Sequence, residues 1–154
     1  MVLGIAALVA WVLTALGGFV LLGRWVQRGG LRQQRGGTTR LPAGLVFSHF
    51  ALAAGGLVVW IVYLVVDYDP LAWIALGLLV VIALLGFTLL SRWLPVYRGR
   101  TVARAGGPGT ASPETGAAEP AERHLPVPVV VGHGVLSVAT LVLVLLAALG
   151  VAGS

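Results

Sequence analysis

The sequence predicts an all-α integral membrane protein, an up-down-up-down bundle of four transmembrane helices built from two tandem parallel two-helix repeats. Three observations lead there: four apolar runs of membrane-spanning length, arginines confined to two of the connecting segments, and a block of sequence that occurs twice. Of the 154 residues, 58% are apolar and 10% charged. That composition suits a membrane protein rather than a soluble domain of this size.

The runs cover residues 1–23, 43–66, 70–91 and 128–151, each near the ~20 residues that a spanning helix needs. A transmembrane β-barrel would instead alternate apolar and polar residues over segments of ~10 residues, and no run does. The first run lacks a basic leader and exceeds the ~7–15 apolar residues of a signal peptide, so a retained helix is expected. Residues 24–42 and 92–127 then form the longer loops. The short turn Asp67-Tyr68-Asp69-Pro70 should make the second and third helices antiparallel neighbours, with Asp69 as N-cap and Pro70 in the first helical position.

All ten basic residues are arginines: Arg24, Arg28, Arg32, Arg35 and Arg40 in the first long loop, and Arg92, Arg98, Arg100, Arg104 and Arg123 in or beside the second. The positive-inside rule places both loops in the cytoplasm and both termini outside, in an inner or plasma membrane. The net charge of +5 is what this topology and contact with anionic lipid require, and no nucleic-acid partner is expected. Arginine without lysine, beside abundant Ala, Gly and Val, suggests a GC-rich bacterial source. The paired glycines of the first loop suggest mobility. Residues 105–122, AGGPGTASPETGAAEPAE, have the composition of a disordered linker in which no chemistry is expected. Without cysteine the chain has no disulfide, cysteine-ligated zinc, iron–sulfur cluster or covalent c-type haem.

Residues 15–25, ALGGFVLLGRW, match 83–93, ALLGFTLLSRW, at eight of eleven positions, with Gly18/Gly86, Phe19/Phe87, Arg24/Arg92 and Trp25/Trp93 in register at an offset of 68. At an offset of 84, residues 45–58 match 129–142 more weakly, and His49 falls on His133. The longer second loop accounts for the larger offset. Together the blocks describe a two-helix unit repeated in the same orientation, which makes the two histidines symmetry mates. His49 lies five residues past Gly44 and His133 five past Pro128, so each is roughly 8 Å inside its helix end at 1.5 Å per residue.

A metal-binding side chain at membrane depth is costly and faces the bundle interior. The second and fourth helices of such a bundle are diagonal, so their imidazoles can converge on the central axis. Two opposed neutral imidazoles suit the iron of one b-type haem. Gly132, Gly134 and Ser48 beside the histidines, with Ala53, Gly56, Ser137 and Thr140 farther along the same faces, are expected to leave room for a flat ligand. Arg24 and Arg92 would meet its propionates, since guanidinium suits carboxylate. The alternative is that His49 and His133 only bridge helices, with the small residues serving packing; another metal or a proton role is a third possibility. Arg24-Trp25 and Arg92-Trp93 also read as interfacial anchors, His124 as a solvated or interfacial residue, and Tyr63 and Asp67 as ordinary residues near the outer face.

The helix order and the positions of His49 and His133 resemble the membrane b-type cytochromes, both the four-helix haem core of cytochrome b and cytochrome b561-like proteins. The cytochrome b core carries two histidines on each ligand helix and two haems; this chain has one on each. The resemblance implies a single haem near the cytoplasmic side and electron transfer between quinone and a partner subunit. The competing expectation is a cofactor-free membrane subunit or assembly factor, whose duplicated helices would pack against a partner subunit or a second copy in a homodimer. Whether the chain is an enzyme is not fixed by any of these features.

Overall fold

The computed structural model describes residues 2–105 and 119–151, and the side chains of all of these except residues 100–105. The described residues are all-helical: α1 (Val2–Gln27), α2 (Gly30–Gly36), α3 (Ala43–Val66), α4 (Asp69–Ala105), a 3-10 turn (Ala121–His124) and α5 (Val127–Ala148). Four helices are long and apolar enough to cross a membrane: Val2–Gln27, Ala43–Val66, the Asp69–Gly99 part of α4, and Val127–Ala148. They form a four-helix bundle. Among the described residues α1 packs against α3 and α5, and α4 against α3 and α5, whereas no Cα atoms of α1 and α4, or of α3 and α5, come within 8 Å. The histidine-bearing helices α3 and α5 are therefore diagonal partners.

Two packed layers close the bundle. Near the Asp67/Asp69 turn, Ala7, Trp11, Trp60, Tyr63, Ala72, Ala75, Leu79, Ile82 and Val144 form one buried cluster drawn from all four long helices. Trp60 donates from its indole to the Gly4 carbonyl (3.2 Å), so even this apolar layer leaves its indole N–H satisfied. At the arginine-rich end, Trp25, Leu41, Trp93, Ala121 and Leu125 form the second cluster. Between the layers no residue of 12–24, 42–55, 83–92 or 126–139 is buried. The two histidines lie in this belt.

The connections depart from the sequence expectations in three places. The first long loop contains a short helix: its glycines shape α2, with Gly29 (φ 85°) and Gly37 (φ 67°) in the left-handed region at either end. Gly30 lies flat on the Trp25 indole, where a Cβ would collide. The third spanning helix does not stop near residue 91 but runs on through Pro95. Pro95 removes one backbone donor, and the stacked rings of Trp93 and Tyr97 (centroids 5.1 Å apart) brace the helix across it.

The last part of the expected linker is also ordered. Gln33 donates to the Glu119 carbonyl (2.8 Å) and accepts from the Ala121 N–H (2.8 Å). Glu122 is fully buried. Its carboxylate accepts from the Thr39 hydroxyl (2.8 Å) and the Arg40 N–H (2.5 Å), so this acidic side chain joins the two loops. The rest of the linker, residues 106–118, lies outside the described residues.

Candidate functional site

His49 and His133 meet in the belt. Their ring centroids are 6.3 Å apart and their planes inclined at 67°. Each residue lies eight positions past a leucine of the arginine-end cluster, Leu41 and Leu125, so the two stand at the same level.

A carbonyl on the neighbouring helix orients each ring. His49 donates from Nδ1–H to the Ile82 carbonyl on α4 (3.1 Å). His133 donates from Nδ1–H to the Thr14 carbonyl on α1 (2.9 Å). A carbonyl can only accept, so in a neutral ring these bonds place the proton on Nδ1. The lone pair is left on Nε2, the arrangement of a metal-ligating histidine whose other nitrogen is held by a backbone acceptor.

Glycines let the rings lie close to the neighbouring helices. A Cβ added to Gly86 would sit 3.2 Å from Cε1 of His49, and one on Gly18 would sit 3.2 Å from Cε1 of His133. Gly17 also lies against His133. Thr14 and Ile82 are 68 positions apart, as are Gly18 and Gly86, so both imidazoles meet corresponding residues. The surroundings of the two rings also differ. Thr14 and Thr140 share a hydroxyl contact of 3.3 Å beside His133, where Ile82 and Gly56 hold the corresponding positions beside His49.

The other expected site residues fall differently. Arg24 and Arg92 are exposed. Arg92 donates to the Arg40 carbonyl at 3.4 Å, and no described contact joins either arginine to an imidazole. The tryptophans beside them are not interfacial anchors: Trp25 and Trp93 are buried at the centre of the arginine-end cluster. Each helix end turns its tryptophan inward because the loop segments fold over it. Trp25 donates to the Thr39 hydroxyl (3.4 Å) and Trp93 to the Glu122 carbonyl (3.2 Å).

Gly132 and Gly134 have open space where a Cβ would stand, and Ser48 is exposed. The close approach at the rings is made instead by Gly17, Gly18 and Gly86. Tyr63 is buried against Trp60, with ring centroids 4.8 Å apart. His124 lies 3.3 Å from the Glu119 carboxylate.

Two imidazoles can share one metal ion through their Nε2 atoms. At about 2 Å per metal–nitrogen bond their ring centres would stand about 6 Å apart, close to the separation seen here. No group of three or more His, Cys, Asp or Glu side chains able to hold a metal occurs among the described residues. No protein family, curated protein or solved structure matches the chain.

Proposed function

We propose that the chain is a membrane-embedded haem b protein in which His49 and His133 are the two axial ligands, and that it transfers electrons between quinone and a partner subunit. The observation that carries this reading is the imidazole pair, with centroids 6.3 Å apart and each Nδ1–H committed to a neighbouring carbonyl. The haem iron supplies reversible one-electron transfer. The protein's part is to fix both rings through the Thr14 and Ile82 carbonyls and to keep water from the site with the two packed layers. Arg24 and Arg92, about six residues nearer the arginine-rich end than Gly18 and Gly86, are the candidates for the propionates.

The same proposal includes two repeats related by a pseudo-twofold axis in an up-down-up-down bundle. The buried positions support it. Gly4/Ala72, Ala7/Ala75, Trp11/Leu79 and Trp25/Trp93 are buried pairs at an offset of 68; Leu41/Leu125, Gly56/Thr140 and Trp60/Val144 are buried pairs at 84. The arginine-rich loops face the cytoplasm in this reading, with both termini on the other side of the plasma or inner membrane of a bacterial cell.

A second reading has its own support. The two Nδ1 bonds already tie α3 to α4 and α5 to α1, as histidines that only bridge helices would. The chain would then be a cofactor-free membrane subunit or assembly factor. The haem content of protein purified from cells supplied with haem separates the two: the proposal expects about one b-type haem per chain, and bridging histidines expect none.

A further inference from the structure

The arginine-end cap has a construction that its counterpart at the Asp67/Asp69 end lacks. The far layer is drawn from four long helices, so nothing of porphyrin size passes it unless those helices separate. The cap combines Leu41, Ala121 and Leu125, from the segments between the long helices, with Trp25 and Trp93. One side chain joins its parts. Glu122 holds the first loop through Thr39 and Arg40, and its own carbonyl holds the Trp93 indole of α4. Gln33 adds two further bonds between the loop segments.

Opening the two ends would have different consequences. Separating the far layer exposes apolar side chains with no compensation. Releasing Glu122 moves a carboxylate to the aqueous rim, where water replaces the hydrogen bonds it loses. The latch is also unpaired in the repeat: at the offset of 84, Glu122 corresponds to Thr38, whose shorter side chain cannot span the loops. We propose that the cap is a door to the imidazole belt, that Glu122 is its latch, and that a flat, carboxylate-bearing ligand enters there. The ligand class rests on the haem reading; the door does not.

The chain has no cysteine, so a single introduced thiol can report on opening. The test uses the full-length protein in vesicles, with Leu89→Cys placed beneath the cap and Leu79→Cys in the far layer, each treated with a water-soluble maleimide. Hydrogen bonds to a charged group are strong enough that Glu122→Ala should speed labelling at position 89 by about tenfold or more. Thr39→Ala, which removes one of the bonds, should speed it less, and position 79 should not respond. Haem release to apomyoglobin should quicken in the same order. If Glu122→Ala does not fold, Thr39→Ala carries the test. Unchanged labelling at position 89 in a folded latch variant overturns the door, as does equal acceleration at both positions. Latch-dependent labelling of a colourless protein keeps the door and rejects haem; a haem spectrum with latch-independent labelling does the reverse.

Discussion

Gly18 of α1 and Gly86 of α4 hold equivalent places against the two imidazoles: a Cβ on either would stand 3.2 Å from a histidine Cε1. That distance requires the ring to give way, and each ring is already fixed by a carbonyl one turn earlier on the same helix, at Thr14 or Ile82. The rings therefore have little freedom to move. Gly18→Ala and Gly86→Ala should each destabilise the fold by about 1–3 kcal/mol, the usual cost of overpacking. They should also weaken ligand retention to similar extents. Gly23→Ala, with open space around its Cβ, should do neither. Thermal unfolding of the three variants in detergent, read beside haem retention, checks this.

The buried tryptophans should matter more than the equally apolar phenylalanines of the duplicated block. Trp25 is 1% exposed and Phe87 68% exposed. Trp25→Ala or Trp93→Ala opens a large cavity and removes an indole hydrogen bond, which should cost about 3 kcal/mol or more. Phe87→Ala should cost well under half of that, since lipid can fill the space it leaves. Denaturation of the purified variants in mixed micelles provides the comparison.

How far these roles could be read from sequence depended on how local their signals were. Apolar run length located the four spanning helices to within a few residues, except where α4 continues through Pro95. The sequence matches at offsets of 68 and 84 singled out His49, His133, Gly18 and Gly86 because polar, aromatic and glycine identities in register stand out against an apolar background. It did not indicate which glycines touch the rings: that depends on which helices are neighbours, so Gly132 and Gly134 looked more useful than they are. Trp25 and Trp93 looked like interfacial anchors because a tryptophan at a segment end reads the same whether it faces lipid or a covering loop. Glu122 was illegible, since its partners Thr39 and Arg40 are more than 80 positions away and its surroundings have linker composition.

Arg24→Ala and Arg92→Ala are expected to leave axial ligation intact and to weaken haem retention by a few-fold each, through loss of propionate contacts. Both side chains are exposed, so the fold should survive. The rate of haem transfer to apomyoglobin measures the effect. Retention equal to that of the unaltered protein would remove both arginines from the site.

The arginine distribution predicts an orientation that reporter fusions can check. Fusions after Ser154 and at Tyr68 should report the outer side, and insertions near Arg35 and Pro113 the cytoplasm; Ser154 and Pro113 lie outside the described residues. A cytoplasmic C-terminus would reverse the assigned sidedness of the imidazole belt and of its cap.

The central claim is that His49 and His133 hold one iron between them, and the oxidised and reduced absorption spectra of the unaltered protein, His49→Ala and His133→Ala test it most directly. The unaltered protein should show a low-spin bis-histidine b-type spectrum. Each single variant should lose it, because one remaining imidazole cannot supply both axial ligands. A colourless protein from haem-supplied cells, or a low-spin spectrum that survives either substitution, would contradict the account.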